Sequence, residues 1–115
     1  MGVDQQTSID GDMPSLSVAL SREQLYDVRR IIDNIIPGAT IWVFGSRATG
    51  KARPFSNLDL LFTEPSKLTW AQGAALRGGF EASRLPFRVD VVESADLSGA
   101  VAERIEAERV SLPML

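Results

Sequence analysis

The residues of this chain with the clearest chemical potential stand in its middle and towards its end. Gly45-Ser46 is followed, after a ten-residue spacer, by Asn57 and Asp59, and a further carboxylate stands at Asp90. Backbone N–H groups beside a glycine can bind an anion, because glycine lets a phosphate approach the main chain closely. Carboxylates that converge from neighbouring strands can hold a hard cation such as Mg²⁺ against a triphosphate. The pattern therefore indicates metal-assisted chemistry on a phosphorylated ligand.

The composition restricts this chemistry further. The 115 residues include no His and no Cys, which excludes Ser-His-Asp and Cys-His catalysis, disulfide frameworks and Cys-ligated zinc. A reaction in this chain must therefore use carboxylates, hydroxyls and basic side chains, with a hard cation such as Mg²⁺ as the compatible metal. With 44% hydrophobic and 23% charged residues, the composition is that of one soluble globular domain.

Charge and hydropathy indicate where the protein acts and what it binds. No apolar run approaches the roughly 18 residues of a membrane span, and no basic residue precedes Arg22, so we expect no membrane contact and a cytoplasmic location. The net charge of −3 argues against broad nucleic-acid binding. Arg47, Lys51 and Arg53 nevertheless lie in a stretch without acids. This basic island suggests a local anionic ligand, and a solvated basic loop is the alternative.

The elements that must position these residues follow from periodicity and breakers. The predicted order is a mobile tail over 1–14, and then, within a single domain over 15–115, helices over 22–36, 69–84 and 95–110 and strands over 40–44, 58–63 and 87–92. Ser21 and Gln24 have the form of a capping box at the first helix. Trp70 and Val101 are expected to pack inward. Strands separated by helices predict an α/β (α+β) fold with a small mixed sheet and flanking helices.

The two predicted acidic positions should lie on equivalent strand faces. The period of two places Asn57 and Asp59 on one face of the second strand, and Asp90 lies on the face of the third strand that also carries Arg88. An Asp within an otherwise apolar strand is costly to bury without a partner. A salt bridge from Asp59 to Arg88 or Arg47 is the structural alternative to a functional role, and neutralisation by Arg88 is the corresponding alternative for Asp90. Gly45-Ser46 has the alternative of an ordinary strand-to-helix turn.

These residues together carry a resemblance to a known family. Gly45-Ser46, the ten-residue spacer and Asp59 resemble the signature of the polymerase-β-like nucleotidyltransferases, and Asp90 in Leu-Pro-Phe-Arg-Val-Asp-Val-Val fits its third acid. Because the chain is short and shows no fused domain, it is similar to the minimal nucleotidyltransferases of that superfamily. The resemblance covers about residues 20–110. It implies a polymerase-β-like nucleotidyltransferase fold and transfer of a nucleotidyl group.

The resemblance also implies roles for individual residues. Gly45 and Ser46 would hold the β- and γ-phosphates of ATP or another nucleoside triphosphate, and Arg47, beside Ser46, is the best candidate for a further phosphate contact. Asp59 and Asp90 would be catalytic and would ligate Mg²⁺. Family members of this size are typically paired with a small helical protein of the HEPN type, several as antitoxin and toxin. The implied reaction is transfer of AMP from ATP to a hydroxyl of such a partner, and a homo-oligomer is a further possibility.

Asn57 departs from the family pattern. The first metal-ligating Asp of the signature is replaced here by Asn57, which keeps a ligating oxygen but loses the negative charge. A net loss of about 3 kcal/mol at this position would slow transfer roughly 10²-fold. Two functions therefore stay open. The chain is a working nucleotidyltransferase, or it is an impaired module of the same fold that neutralises its partner by contact alone.

Overall fold

The computed structural model describes residues 18–114, so the predicted tail over 1–14 lies outside the described residues. In the described part, helices and strands alternate along most of the chain, with a turn of 3₁₀ helix at Ser94–Asp96. The helices are α1 (Arg22–Ile35), α2 (Ser46–Thr49), α3 (Trp70–Glu81) and α4 (Gly99–Glu108), and the strands are β1 (Thr40–Phe44), β2 (Leu58–Glu64), β3 (Val89–Glu93) and β4 (Val110–Ser111). The predicted fold class is confirmed.

The strands form one mixed sheet in the order β3-β2-β1-β4. β1 pairs antiparallel with both β2 and β4, whereas β2 and β3 are parallel. A parallel pair needs a crossover connection, which α3 supplies between β2 and β3. The register places Asp59 beside Asp90, and Phe44 is the partner of Asp59 on the opposite side.

The first helix forms as its sequence predicts. The Ser21 hydroxyl accepts the Gln24 N–H at 3.0 Å, and the Gln24 side chain accepts the Ser21 N–H at the same distance. This capping box satisfies two of the N–H groups that lack partners at a helix start. Pro37 and Gly38 follow the last turn, and Gly38 takes a positive φ of 82° that favours glycine.

The main core lies on the sheet face that α1 and α3 cover. The inward side chains of β2 on this face alternate with the acidic positions, as the strand period predicts. Burial of this apolar surface is the chief source of stability. The core consists of Val18, Leu20, Leu25, Val28, Ile31, Ile32, Ile36, Ile41, Val43, Leu58, Leu60, Phe62, Leu68, Leu76, Phe80, Phe87 and Leu112.

A much smaller apolar cluster lies on the opposite face. Phe44, Leu61 and Ile105 are its buried members, and Trp42, Val92 and Leu97 pack against it while partly exposed. Ile105 is the one buried residue of α4. The acid-bearing face of the sheet is therefore only partly covered, and the remainder is open to a ligand.

Several sequence predictions about the flanking helices are wrong. The predicted helix over 95–110 is divided into the 3₁₀ turn, α4 and the short strand β4, because Val110 and Ser111 pair with β1. Trp70 is 84% exposed and Val101 is 54% exposed, so neither packs inward. Trp70 is the first residue of α3, directly after the Thr69 cap, whereas the buried residues of this helix, Leu76 and Phe80, lie further along it.

Among residues 18–114, no helix combines the length and the apolar character that crossing a membrane requires.

Candidate functional site

Gly45 and Asp59 are in direct contact at the end of β1. Gly45 has a φ of 76° and a ψ of −156°, a conformation that an L side chain rarely adopts. A Cβ added at Gly45 would overlap the Asp59 carboxylate. Glycine is therefore required here for two independent reasons, the backbone conformation and the closeness of the acid. The turn that precedes α2 and the acid on β2 form one compact unit.

Asp59 and Asp90 are neighbours on parallel strands. They stand in register on β2 and β3, so their side chains share a face of the sheet. Partial burial raises the pKa of the Asp59 carboxyl, and the negative charge of Asp90 raises it further, while Arg88 acts in the opposite direction. Glu108 on α4 adds a smaller repulsion in the same sense as Asp90. Asp59 therefore lies in surroundings whose charge a cation would balance.

Asp90 is held by two neighbours on the same face. The Arg88 guanidinium spans its carboxylate, with Nε 3.0 Å from Oδ1 and Nη2 3.3 Å from Oδ2. The Asn57 side-chain amide donates to Asp90 Oδ2 at 3.2 Å. Arg88 thus pairs with Asp90 and not with Asp59, which removes the salt bridge to Arg88 as an explanation for Asp59. Asn57 lies at the site, and its amide supports the third acid.

The structure places Arg47 in a supporting position. Its side chain is buried, and burial lowers the pKa of the guanidinium. The guanidinium also lies over the Phe87 ring, 4.0 Å from its centroid. The guanidinium faces the loop that leads into Asn57 and holds that loop through hydrogen bonds to its backbone. A phosphate contact by Arg47 stays a prediction, and the observed hydrogen bonds do not support it. The backbone carbonyls that accept from Arg47 are those of Ala19, Arg53, Pro54 and Ser56.

Glu108 is a site residue that the sequence reasoning missed. Its carboxylate accepts the Gly45 N–H, with Oε1 2.9 Å from the nitrogen. Nothing in the local pattern marks this residue, because Glu108 is one of several acids in α4 and stands 63 positions after Gly45. The only available signal was that α4 must pack on the face that carries Asp59, through Ile105.

A cavity borders the site at the edge of the sheet. It has a volume of about 340 Å³ and lies between α3 and the start of β3. Because Asp90 belongs to its lining, a molecule in the cavity would be close to that carboxylate. The other lining residues are Arg77, Phe80, Glu81, Arg88 and Val89.

The donor set at the site suits a magnesium ion. Over residues 18–114, no group of three or more His, Cys, Asp or Glu side chains is arranged to hold a metal. Magnesium, however, is usually bound by one or two carboxylates together with the phosphates of a substrate, and not by a complete protein cage. Asp59 and Asp90, both oxygen donors on one face, fit that mode of binding. Arg88 already pairs with Asp90, so the charge that a cation would balance is chiefly that of Asp59.

The structure brings most of the predicted site residues together. Gly45, Asn57, Asp59 and Asp90 meet at one end of the β1, β2 and β3 strands. Ser46 begins α2 directly after Gly45. The individual roles assigned to these residues stay predictions.

Comparisons with known proteins agree with this geometry. Residues 25–112 match the nucleotidyltransferase domain family. The chain is 37% identical over 79 residues to a probable protein adenylyltransferase, MntA, of Haemophilus influenzae, an alignment that covers 69% of each protein.

A solved structure is similar in fold. It is described as a toxin-antitoxin crystal structure with AMP-PNP, and it superposes with a TM-score of 0.60 at 21% identity, covering 76% of this chain and 71% of that one. At that identity the likeness concerns the fold alone. Together with the family match over residues 25–112, it confirms the predicted polymerase-β-like nucleotidyltransferase fold.

Proposed function

The chain belongs to the nucleotidyltransferase domain family, and from that premise we propose that it binds Mg²⁺ and ATP and transfers AMP to a hydroxyl group of a partner protein. The observation that carries this proposal is the register of Asp59 beside Asp90, with Gly45 against the first of the two acids. An acid pair and a glycine turn at one end of a sheet can hold a triphosphate with its α-phosphorus near a carboxylate.

The residues of the chain divide the work between them. The turn at Gly45 and Ser46 orients the β- and γ-phosphates. Asp90, at the edge of the cavity, accepts the proton of the acceptor hydroxyl. The hydroxyl oxygen bonds to the α-phosphorus, and the bond from that phosphorus to the bridging oxygen breaks, releasing pyrophosphate. Asp59 and Asp90 would hold Mg²⁺, which would neutralise part of the charge on the triphosphate.

The acceptor is proposed to be a small helical protein, of the HEPN type that the family resemblance implies. Two findings support a protein acceptor. The similar Haemophilus protein is named as a probable protein adenylyltransferase, and a toxin-antitoxin structure shares the fold. The acceptor hydroxyl would approach through the cavity beside Asp90.

Asn57 supports a second candidate function. Its amide donates to Asp90, so the position contributes a hydrogen bond where the family pattern has a charged ligand. An impaired module of the same fold would bind the partner and neutralise it by contact alone, without transfer.

A transfer assay separates the two functions. Labelled ATP, Mg²⁺ and a small helical protein of the HEPN type are incubated with the wild type, Asn57→Asp and Asp59→Asn. We expect Asp59→Asn to abolish transfer and Asn57→Asp to raise it roughly 10²-fold, equivalent to about 3 kcal/mol of barrier. A wild type that is already fast and little changed by Asn57→Asp identifies Asn57 as a working ligand.

The control is a charge change of the same kind outside the site. Glu103 on α4 is exposed, and Glu103→Gln should leave transfer unchanged. Absence of transfer in every variant, with tight partner binding in all of them, rejects the enzyme and leaves the contact-only module.

A further inference from the structure

The contact between Glu108 and Gly45 joins two distant parts of the chain at the centre of the site. Gly45 N donates to Glu108 Oε1 at 2.9 Å, the length of a charge-assisted hydrogen bond. The same carboxylate contributes to the raised pKa of Asp59, so it lies close enough to repel the acid on β2. The Glu108 carboxylate therefore lies near the negative charge of Asp59. The Gly45 N–H offsets part of this repulsion by donating a hydrogen bond to Glu108.

That N–H belongs to the turn to which the proposed function assigns the phosphates. A backbone N–H has one hydrogen, and a carboxylate oxygen and a phosphate oxygen are anionic acceptors of the same kind. The Glu108 carboxylate and a phosphate of the ligand therefore cannot both form a full hydrogen bond with the Gly45 N–H at the same time. A triphosphate seated on this turn would also add its own negative charge beside Glu108.

The helix α4, which carries Glu108, has few buried contacts, whereas the chain that follows it is anchored by Leu112 in the main core. Ile105 is the one buried side chain of α4, and β4 pairs with β1 through two residues. Arg109 adds a stacking contact, with its guanidinium 4.1 Å from the centre of the Trp42 ring. Segments with few buried apolar contacts open at a low cost in free energy. Movement of α4 away from the turn is therefore compatible with an intact core.

We propose that the Glu108 carboxylate is an internal substitute for a nucleotide phosphate on the Gly45 N–H, and that a nucleoside triphosphate must displace it to bind. α4 is then a latch on the nucleotide site, closed in the free protein and open in the complex. This inference rests on the proposed function, since it names the competitor for the same site. It adds a step that the family signature does not contain.

The experiment measures two properties of the full-length chain. The first is hydrogen exchange of the Gly45 amide in the free protein, followed by nuclear magnetic resonance. The second is the affinity for ATP and for inorganic tripolyphosphate in EDTA, followed by calorimetry, so that no metal contributes. The variants are Glu108→Ala, Glu108→Gln and, as the control of equal charge change on the same helix, Glu103→Gln. Circular dichroism verifies that each variant retains its helices.

We expect Glu108→Ala to accelerate Gly45 exchange and to tighten both ligands at least about tenfold, because a hydrogen bond to a charged group contributes roughly 1.5–3 kcal/mol. Glu108→Gln should tighten them by a smaller factor, since it removes the charge and keeps an acceptor. Glu103→Gln should match the wild type. Unchanged Gly45 exchange in Glu108→Ala overturns the contact.

The remaining outcomes distinguish the latch from the proposed function. Faster exchange with unchanged or weaker ligand binding overturns the latch, and weaker binding would assign Glu108 to the site itself. If neither the wild type nor any variant binds ATP or tripolyphosphate in EDTA, nor ATP with added Mg²⁺, while Gly45 exchange still responds, the nucleotide site is absent and the proposed function fails together with the latch. If Glu108→Ala loses its helices, Glu108→Gln alone decides between these outcomes.

Discussion

The two faces of the sheet are built from the same strands and have opposite properties. On the face beneath α1 and α3, Leu58 and Leu60 are fully buried within the large core. On the other face, Asp59 stands between them in sequence and meets Asp90 and Gly45. One strand therefore serves stability and the site by alternation alone. The comparison shows that the face with the charged groups has a much smaller apolar cluster than the face without them.

The cost of this arrangement falls on one face only. The raised pKa of Asp59 means that its charged form is disfavoured in the folded protein. A like-charged neighbour and partial burial could not be tolerated in many places of a small domain, whose net stability is about 5–15 kcal/mol. The large apolar core on the packed face offsets the destabilising effect of the charged groups on the other face.

The largest expected effect compares one residue type on the two faces. Ile32 on α1 is fully buried in the large core, and Ile105 on α4 is buried in the small cluster. We expect Ile32→Ala to lower the free energy of unfolding by about 4 kcal/mol, the range of well-packed core truncations. Ile105→Ala should cost about 2 kcal/mol, the low end of the range for such truncations, since the partly exposed surroundings of Ile105 can collapse. Urea unfolding of both variants measures the difference, and equal losses would contradict the contrast between the faces.

The next effect concerns the turn beside Asp59. Gly45→Ala combines a positive φ with an overlap on the Asp59 carboxylate, whereas Gly50→Ala has the positive φ with open space around it. We expect Gly50→Ala to cost about 1–2 kcal/mol. Gly45→Ala should cost about 1 kcal/mol more and should abolish nucleotide transfer. Thermal unfolding gives the first quantity. Transfer retained by Gly45→Ala would show that the closeness of the turn to Asp59 is dispensable.

A smaller effect tests the loop that Arg47 supports. Arg47→Lys keeps the charge but cannot reach the four backbone carbonyls with one ammonium group. We expect a loss of about 2 kcal/mol in the free energy of unfolding, within the range for breaking a buried hydrogen-bond network. Arg53→Lys, at an exposed side chain of the same loop, is the control and should be neutral. If Arg47→Lys retains full stability but loses ATP affinity, the predicted phosphate contact is correct after all.

The smallest expected effect is a gain in stability, whereas the variants above lose stability. A carboxyl whose pKa is raised on folding lowers stability as the pH rises through its titration, so at neutral pH its charge opposes folding. Asp59→Asn should therefore melt at a slightly higher temperature than the wild type in EDTA, while transfer is lost. The advantage should disappear near pH 3, where the wild-type carboxyl is protonated as well. A lower melting temperature at neutral pH would show that the Asp59 charge is balanced in the free protein.

The sequence predicted the parts of the molecule that depend on local pattern. The capping box at Ser21 and the alternation around Asp59 are visible in short stretches, because hydrogen bonds and strand pleat act between near neighbours. The motif spacing predicted the meeting of Gly45, Asp59 and Asp90. The match to the nucleotidyltransferase domain family and the similarity to the Haemophilus influenzae protein then confirmed the family.

The parts that could not be predicted depend on contacts distant in sequence. β4 was assigned to the last helix because two residues have no detectable period, and only the free edge of β1 makes them a strand. The burial of Arg47 depends on carbonyls that the loop presents only once folded. Glu108 reaches Gly45 only because Ile105 docks α4 on the sheet. The pairing of Asp90 with Arg88, by contrast, could be expected from the sequence, because residues two positions apart share a strand face.

The parallel pairing of β2 with β3 has a consequence for how the protein folds. β1 and β2 are antiparallel and close in sequence, whereas β3 pairs with β2 across the whole crossover that contains α3. Contacts between distant segments form late, since the entropy of closing the loop must be overcome first. We therefore expect Gly45 and Asp59 to meet early in folding and Asp90 to arrive with the last cooperative step, so that a partly folded chain has the turn and one acid and no competent centre.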